Sequence, residues 1–238
     1  MSGHSKWATT KHQKAVTDAR RGAAFTKIAN MITVAAREGG DVEFNFKLRL
    51  AVEKAKAASM PKDNIERAIV RGSGKGDGAN KLEELTYEAY GPGGSAMIIT
   101  ALTDNKLRTY TDIRAIMNKA NGRIAEAGSV MYLFKHSGEI IVSHAPEKSD
   151  EVQLIAIDQG ADDVESDEGL TRVITAVPDL QKIRQGLLDA GLTVDDAKLQ
   201  WIAKTPHILS DEDLAKLDRL IELLDELDDV TEVATNVG

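Results

Sequence analysis

Residues 72–78 read Gly72-Ser73-Gly74-Lys75-Gly76-Asp77-Gly78. Four glycines in seven residues give the composition of a flexible linker, and two properties of the chain change across it. Up to Lys75 there are 15 lysines and arginines against 7 acidic residues; the remainder holds 15 against 31. The apolar pattern also changes, from helical spacing to short strand-like runs. The stretch lacks the spacing of a Walker-type phosphate loop and follows a helical segment, not a strand. It therefore reads as a linker, residues 72–80, between a basic module and an acidic body. Such a division directs polyanion contact to one end of the chain.

Upstream of the linker, Lys11 to Glu38 predicts a long helix. Phe25, Ile28, Ala29, Ile32 and Ala36 share one face, and Gly39-Gly40 ends it. Val42 to Ala58 predicts a second helix that buries Phe44, Leu48, Ala51 and Ala55. Pro61 marks the next boundary, and a third helix begins at Lys62 with Ile65, Ala68 and Ile69 inward. Three antiparallel helices make a small bundle over residues 1–75.

Downstream, the reading alternates. Leu85–Tyr90 and Ala96–Leu102 are strands joined by the Gly91-Pro92-Gly93-Gly94 turn. Thr109–Ala120 is a helix capped by Thr109, and Val130–Phe134 a further strand. Residues 136–205 then follow the order βαββαβ of a ferredoxin-like unit. A helix over Asp211–Leu227 and a strand over Val230–Thr235 cannot bury themselves alone, so they are expected to complete the sheet begun at residue 85. The expected fold is α+β and multidomain: a helical bundle (1–75) and two ferredoxin-like-type domains. The second is discontinuous (81–135 plus 206–238), with the third (136–205) inserted into it.

The chain has no cysteine, which excludes thiol catalysis, cysteine zinc sites and disulfides. No apolar run approaches a membrane span, and the polar, basic start is not a secretory signal. No nucleophile–histidine, zinc-hydrolase or dinucleotide motif occurs. The expectation is a cytoplasmic protein that is not an enzyme, with no cofactor, no metal and no membrane partner; the sequence leaves the oligomeric state open, and a monomer is assumed. The acids Glu222, Asp225, Glu226, Asp228 and Asp229 lack calcium-loop spacing and read as a solvated face.

The candidates for nucleic-acid contact cluster at the basic end. His4, Ser5, Lys6 and Trp7 form an arm suited to stacking beside phosphate contact. Lys11, Lys14, Arg20, Arg21 and Lys27 line the first helix, opposed only by Asp18 in that stretch. Arg67 and Arg71 on the third helix lie off its apolar face. In the body, Tyr87, Tyr90 and Arg108 are candidates for partner contact; Arg108 has no structural role visible in the sequence.

Several runs resemble one family: Gly3-His4-Ser5-Lys6-Trp7, Asp18-Ala19-Arg20-Arg21-Gly22, Pro61-Lys62-Asp63-Asn64-Ile65-Glu66-Arg67-Ala68, Tyr87-Glu88-Ala89-Tyr90-Gly91-Pro92-Gly93-Gly94, Gly128-Ser129-Val130 and Leu227-Asp228-Asp229-Val230. Together they resemble the YebC/PmpR family, which includes the mitochondrial translational activator of cytochrome oxidase subunit I. The resemblance implies three domains and a non-enzymatic gene-expression factor. It implies either a DNA-binding transcriptional regulator or a ribosome-associated translation factor that contacts ribosomal RNA and assists difficult sequences such as proline runs. A protein-only adaptor, whose basic bundle meets an acidic partner, is the rival from another class.

Overall fold

The computed structural model describes residues 18–74 and 82–238, with the side chains of its first helix described from residue 24 onward. The helices are α1 (Asp18–Ala35), α2 (Phe46–Ala57), α3 (Lys62–Gly72), α4 (Lys106–Lys119), α5 (Ser149–Asp158), α6 (Leu180–Asp189) and α7 (Asp211–Asp225). The strands are β1 (Glu83–Tyr90), β2 (Ala96–Thr103), β3 (Arg123–Ile124), β4 (Phe134–Ser143), β5 (Asp163–Asp167), β6 (Leu170–Thr175), β7 (Thr193–Ala203) and β8 (Val230–Thr235). This is an α+β chain with N-terminal helices and two sheets, of order β3-β1-β2-β8 and β5-β6-β4-β7. Contacts divide the described residues into two compact bodies: Phe134–Ile202, and those from Asp18 to Leu133 together with Ala203–Gly238.

The three helices pack through the faces their spacing dictates. Ile28, Ile32 and Ala36 of the first segment, Leu48, Ala51 and Ala55 of α2, and Ile65 and Ala68 of α3 are buried in one cluster. Asn45 fixes the α1–α2 corner: its Oδ1 caps α2 by accepting from the Leu48 N–H at 3.0 Å, while its Nδ2 donates to the carbonyls of Ala35 and Gly39, both at 2.7 Å. This satisfies backbone groups at two helix ends with one side chain. The helix starts four residues after the expected Val42, so Phe44 lies ahead of the cap and is 91% exposed, not buried. Gly72, read as the first linker residue, is instead the last turn of α3, and a Cβ there would meet the Thr33 carbonyl oxygen at 2.1 Å.

In the sheet β3-β1-β2-β8, the central strand β2 is buried along its whole length. Tyr87, Ala89, Met97 and Ile99 pack against Ile113 and Met117 of α4 and Leu217, Leu220 and Leu224 of α7. The C-terminal helix and strand thus complete the sheet begun at β1. The fourth strand is not Val130–Phe134. Residues 131–133 form a 3-10 turn, and the edge position is taken by the two-residue β3. The reason is Glu88. Its carboxylate is buried on β1 and accepts from the N–H groups of Gly128, Val130 and Met131 at 2.5, 2.6 and 2.8 Å. Those donors are therefore committed to a carboxylate and not to a ladder. Burial alone would raise the Glu88 carboxyl, but the backbone donors of Val130, Gly128, Met131 and Ser129 outweigh it and hold it below the usual range.

The body Phe134–Ile202 runs β4-α5-β5-β6-α6-β7. Ile140, Val142, Val152, Ala156, Val173, Leu180, Ile183 and Leu187 are almost wholly removed from solvent. Glu168 and Gly169, both with positive φ (44° and 82°), make the tight β5–β6 turn. Glu139 of β4, its side chain 6% exposed, is held between Arg172 of β6 and Lys198 of β7, the latter at 3.1 Å. Burial pushes its carboxyl up, and the two cations more than reverse this, so it stays ionised below the usual carboxylate range.

Candidate nucleic-acid interface and the adjoining cleft

Of the candidates at the basic end, His4, Ser5, Lys6, Trp7, Lys11 and Lys14 lie outside the described residues, and Arg20 and Arg21 fall in α1 where only the helix is described. The remaining cations occupy a definite surface. Lys47, Lys54, Lys56, Lys62, Arg67 and Arg71 are all solvent-exposed on α2 and α3. Arg67 donates to the Asp63 carbonyl at 3.2 Å and to Asn64 Oδ1, so it braces the first turn of α3 while remaining exposed. Arg71, in the last turn of α3, lines a cleft.

Lys27 is turned inward. It is half-buried, and its Nζ donates to the main-chain carbonyl of Asp225 at the C-terminal end of α7. A lysine there meets the negative pole of a helix and an orphan carbonyl. Burial lowers the Lys27 ammonium below its ordinary value, against the opposing pull of Asp225 and Asp228. Burial likewise raises the Asp225 carboxyl, tempered by Lys27 and Lys54. A second tether lies nearby, where Arg37 donates to the Leu82 carbonyl at 2.6 Å.

Between the helices and the sheet is an open cleft of about 820 Å³. Thr26, Asn30 and Arg71 line it from the helical side. Asp104, Arg108, Thr109 and Asp112 contribute from the β2–α4 turn, and Glu226 through Asp229 from the end of α7. Its floor is a hydrogen-bonded knot. The Thr109 hydroxyl donates to Asp229 Oδ2 at 2.6 Å, the Thr103 hydroxyl to the same oxygen at 3.1 Å, and Arg108 to both Asp229 oxygens at 3.1 and 2.9 Å. Burial would raise the Asp229 carboxyl, but the Thr109 and Arg108 hydrogen bonds bring it below the usual range. Arg108 also pairs with Asp104 at 3.2 Å.

This corrects three expectations. Arg108 has a structural role, joining the start of α4 to the turn before β8. Thr109 is not the cap of α4; Asn105 is, its side chain accepting from the Arg108 N–H at 3.1 Å. The acids after α7 are not all a solvated face, since Asp229 is only 16% exposed and fully engaged. No sequence motif announces the Thr103–Thr109–Asp229 knot, because its members come from opposite ends of the domain.

The tyrosines pack. Tyr87 lies on the apolar cluster with its ring 6.2 Å from Tyr110, and burial raises its phenol, assisted by Asp229. Tyr90 donates to the Ser129 carbonyl at 3.2 Å, and Arg123 sits over its ring at 4.6 Å. The Gly91–Gly94 turn is docked as well: Gly93 and Gly94 have positive φ, and a Cβ on Gly91 would meet Ser95 Oγ at 2.6 Å and Met97 Sδ at 2.8 Å. Among the described residues no group of three or more His, Asp or Glu is arranged to hold a metal ion, and no helix is long and apolar enough to cross a membrane.

Comparison with known proteins adds the following. The model of the TACO1/YebC protein N-terminal domain matches residues 5–75, and that of the TACO1/YebC second and third domain matches residues 82–237. The chain is 50% identical over 242 residues to the "probable transcriptional regulatory protein" of Roseiflexus castenholzii, covering 100% of this chain and 95% of that one. It is 46% identical over 237 residues to a protein of the same description from Dehalococcoides mccartyi strain BAV1, covering 99% and 94%. The crystal structure of a conserved hypothetical protein from Aquifex aeolicus superposes with a TM-score of 0.88 at 38% identity, over 98% of this chain and 97% of that chain.

Proposed function

Because the chain belongs to the TACO1/YebC family, we propose that it is a non-enzymatic regulator of gene expression that binds nucleic acid through its basic N-terminal module. The observation that carries this reading is the charge division. Residues 1–75 hold a net excess of 8 positive charges and the remainder a net excess of 16 negative ones, and the exposed cations of α2 and α3 lie on the positive side of it. Nucleic-acid affinity is dominated by such phosphate-facing cations. The contact set is His4, Ser5, Lys6, Trp7, Lys11, Lys14, Arg20 and Arg21, with Arg67 and Arg71 extending it along α3; Lys27 joins it only when released from Asp225. Transcriptional regulation on DNA is the first reading, and the printed description of the Roseiflexus and Dehalococcoides relatives agrees with it.

One observation favours a second reading, ribosomal RNA within the translating ribosome. Asp225 and Asp228 stand close enough to Lys27 to act on its charge, so an acidic wall adjoins the basic helices. A long duplex lying across the module would meet that wall, whereas a folded RNA surface with gaps need not. Sucrose-gradient sedimentation of cytoplasmic lysate separates the two. Cosedimentation with ribosomes that survives DNase supports the RNA reading; retention on promoter DNA at physiological salt, with no ribosomal peak, supports transcription.

The domain assignment belongs to the same proposal: a bundle over 1–75, linker 72–80, a discontinuous domain of 81–135 plus 206–238, and an inserted one over 136–205. The element order β4-α5-β5-β6-α6-β7 with strand order β5-β6-β4-β7 supports a ferredoxin-like arrangement for the inserted domain.

A further inference from the structure

We infer that the acidic segment closing α7, Asp225 through Asp229, acts as a built-in competitor for nucleic acid: it occupies cations of the helical module, and nucleic-acid binding is opposed by that docking. The inference rests on the nucleic-acid reading above and adds a device that limits it.

Four observations converge. Lys27 of α1 hands a hydrogen of its ammonium to the Asp225 carbonyl, using an acceptor oxygen at the negative pole of a helix much as it would use a phosphate oxygen. Lys54, from α2, lies close enough to act on the charges of both Lys27 and Asp225, so cations of two helices face the same acidic end. Arg71, at the close of α3, lines the same cleft as Glu226, Asp228 and Asp229. The docking is also shallow in character: the Lys27 and Arg37 tethers are made to main-chain carbonyls by side chains that keep solvent exposure, and an open cleft lined mostly by polar side chains lies beside them. Polar, solvent-accessible contacts of this kind exchange readily for other anions, and their strength falls with salt.

The segment divides its labour. Asp229 is committed to Thr103, Arg108 and Thr109 and anchors the competitor to the sheet. Asp225 and Asp228 supply the charge that faces the helices. Neutralising these two removes the competition without touching the anchor.

The test uses the full chain. Asp225→Asn/Asp228→Asn is compared with wild type and with Asp150→Asn/Asp158→Asn, which changes net charge equally but on exposed α5 positions of the other body. Affinity for a fluorescent mixed-sequence RNA and for a duplex DNA is measured by anisotropy in low salt. The first double variant is expected to bind roughly five- to tenfold more tightly, and the α5 variant to change less than about twofold. Because the chain lacks cysteine, Glu66→Cys/Glu212→Cys can be spin-labelled at two exposed sites; saturating RNA is expected to lengthen or broaden the distance distribution. Equal affinities for the two variants, with an unchanged distance on RNA addition, overturn the competitor role while leaving nucleic-acid binding intact. No salt-sensitive binding by any of the three proteins overturns both.

Discussion

The guanidinium of Arg108 contacts both carboxylate oxygens of Asp229, at 3.1 and 2.9 Å, across 121 residues of sequence. The pair fastens the start of α4 to the turn just before β8. It is the exposed half of a knot whose buried half is the Thr109 and Thr103 hydroxyls. Removing the carboxylate takes the shared charged acceptor from both hydroxyls and leaves the cation paired with Asp104. Asp229→Ala is expected to cost about 2–3 kcal/mol in urea denaturation, and Arg108→Ala only about 0.5–1 kcal/mol, since that side chain is half-exposed. Equal losses for the two would contradict this ordering.

Glu88 organises the 128–131 turn through three backbone N–H groups. Glu88→Gln replaces an acceptor oxygen with a donor that faces an N–H. A loss of about 2–3 kcal/mol is expected, with faster amide exchange at Val130 and Met131. An unchanged exchange pattern would show that the turn holds itself.

The same carboxylates set the response to acid. Glu88, Glu139 and Asp229 are each held below their ordinary values in the folded chain. Depressed carboxyls stabilise the fold fully above their unfolded values, about pH 4, and that contribution is lost as pH falls through the lower folded values. Asp225, held above its ordinary value, works in the opposite sense and offsets a part. Unfolding free energy is therefore expected to fall steeply below about pH 4, and the fall to be shallower in Glu88→Gln than in wild type. Parallel acid limbs would refute the assignment.

Much of the fold was legible because helix and strand periodicities are local. The buried stripe of Ile28, Ile32 and Ala36, the strand over Val230–Thr235 and the turn at Gly169 all follow from spacing and turn chemistry. Two misses trace to side chains that bond away from their own segment. Val130–Phe134 is apolar enough for a strand, yet Glu88, 42 residues before Val130, takes the donors of Val130 and Met131. Phe44 falls on the apolar stripe expected of the second helix, but Asn45 starts the helix after it while bonding to the end of the preceding one. At the candidate interface, the sign of the charge was readable and its direction was not. Lys27 belongs to the basic run, but only the fold brings the end of α7 beneath it.

Gly72 shows how composition misleads at a boundary. It counts toward the glycine-rich run, yet it is buried where α3 crosses α1, and a Cβ would meet Thr33 O at 2.1 Å and Ala36 Cβ at 2.6 Å. Gly72→Ala is expected to destabilise the helical module by about 2–3 kcal/mol despite its better helix propensity. Gly74→Ala, with open space around it but a φ of 77°, should cost about 1 kcal/mol. Thermal unfolding of the two variants gives the comparison.

The central claim is that the basic N-terminal module binds polyanions through its cations. With Lys27 engaged on Asp225, Lys6, Lys11, Lys14, Arg20 and Arg21 are the cations proposed to meet phosphate. The most direct measurement is the affinity of the full chain for a duplex DNA across a range of salt concentrations. The predicted plot of log K against log salt has a slope of about −4 to −5, reduced by about one for each of these residues changed to glutamine. A slope near zero, or one indifferent to those substitutions, would contradict the account.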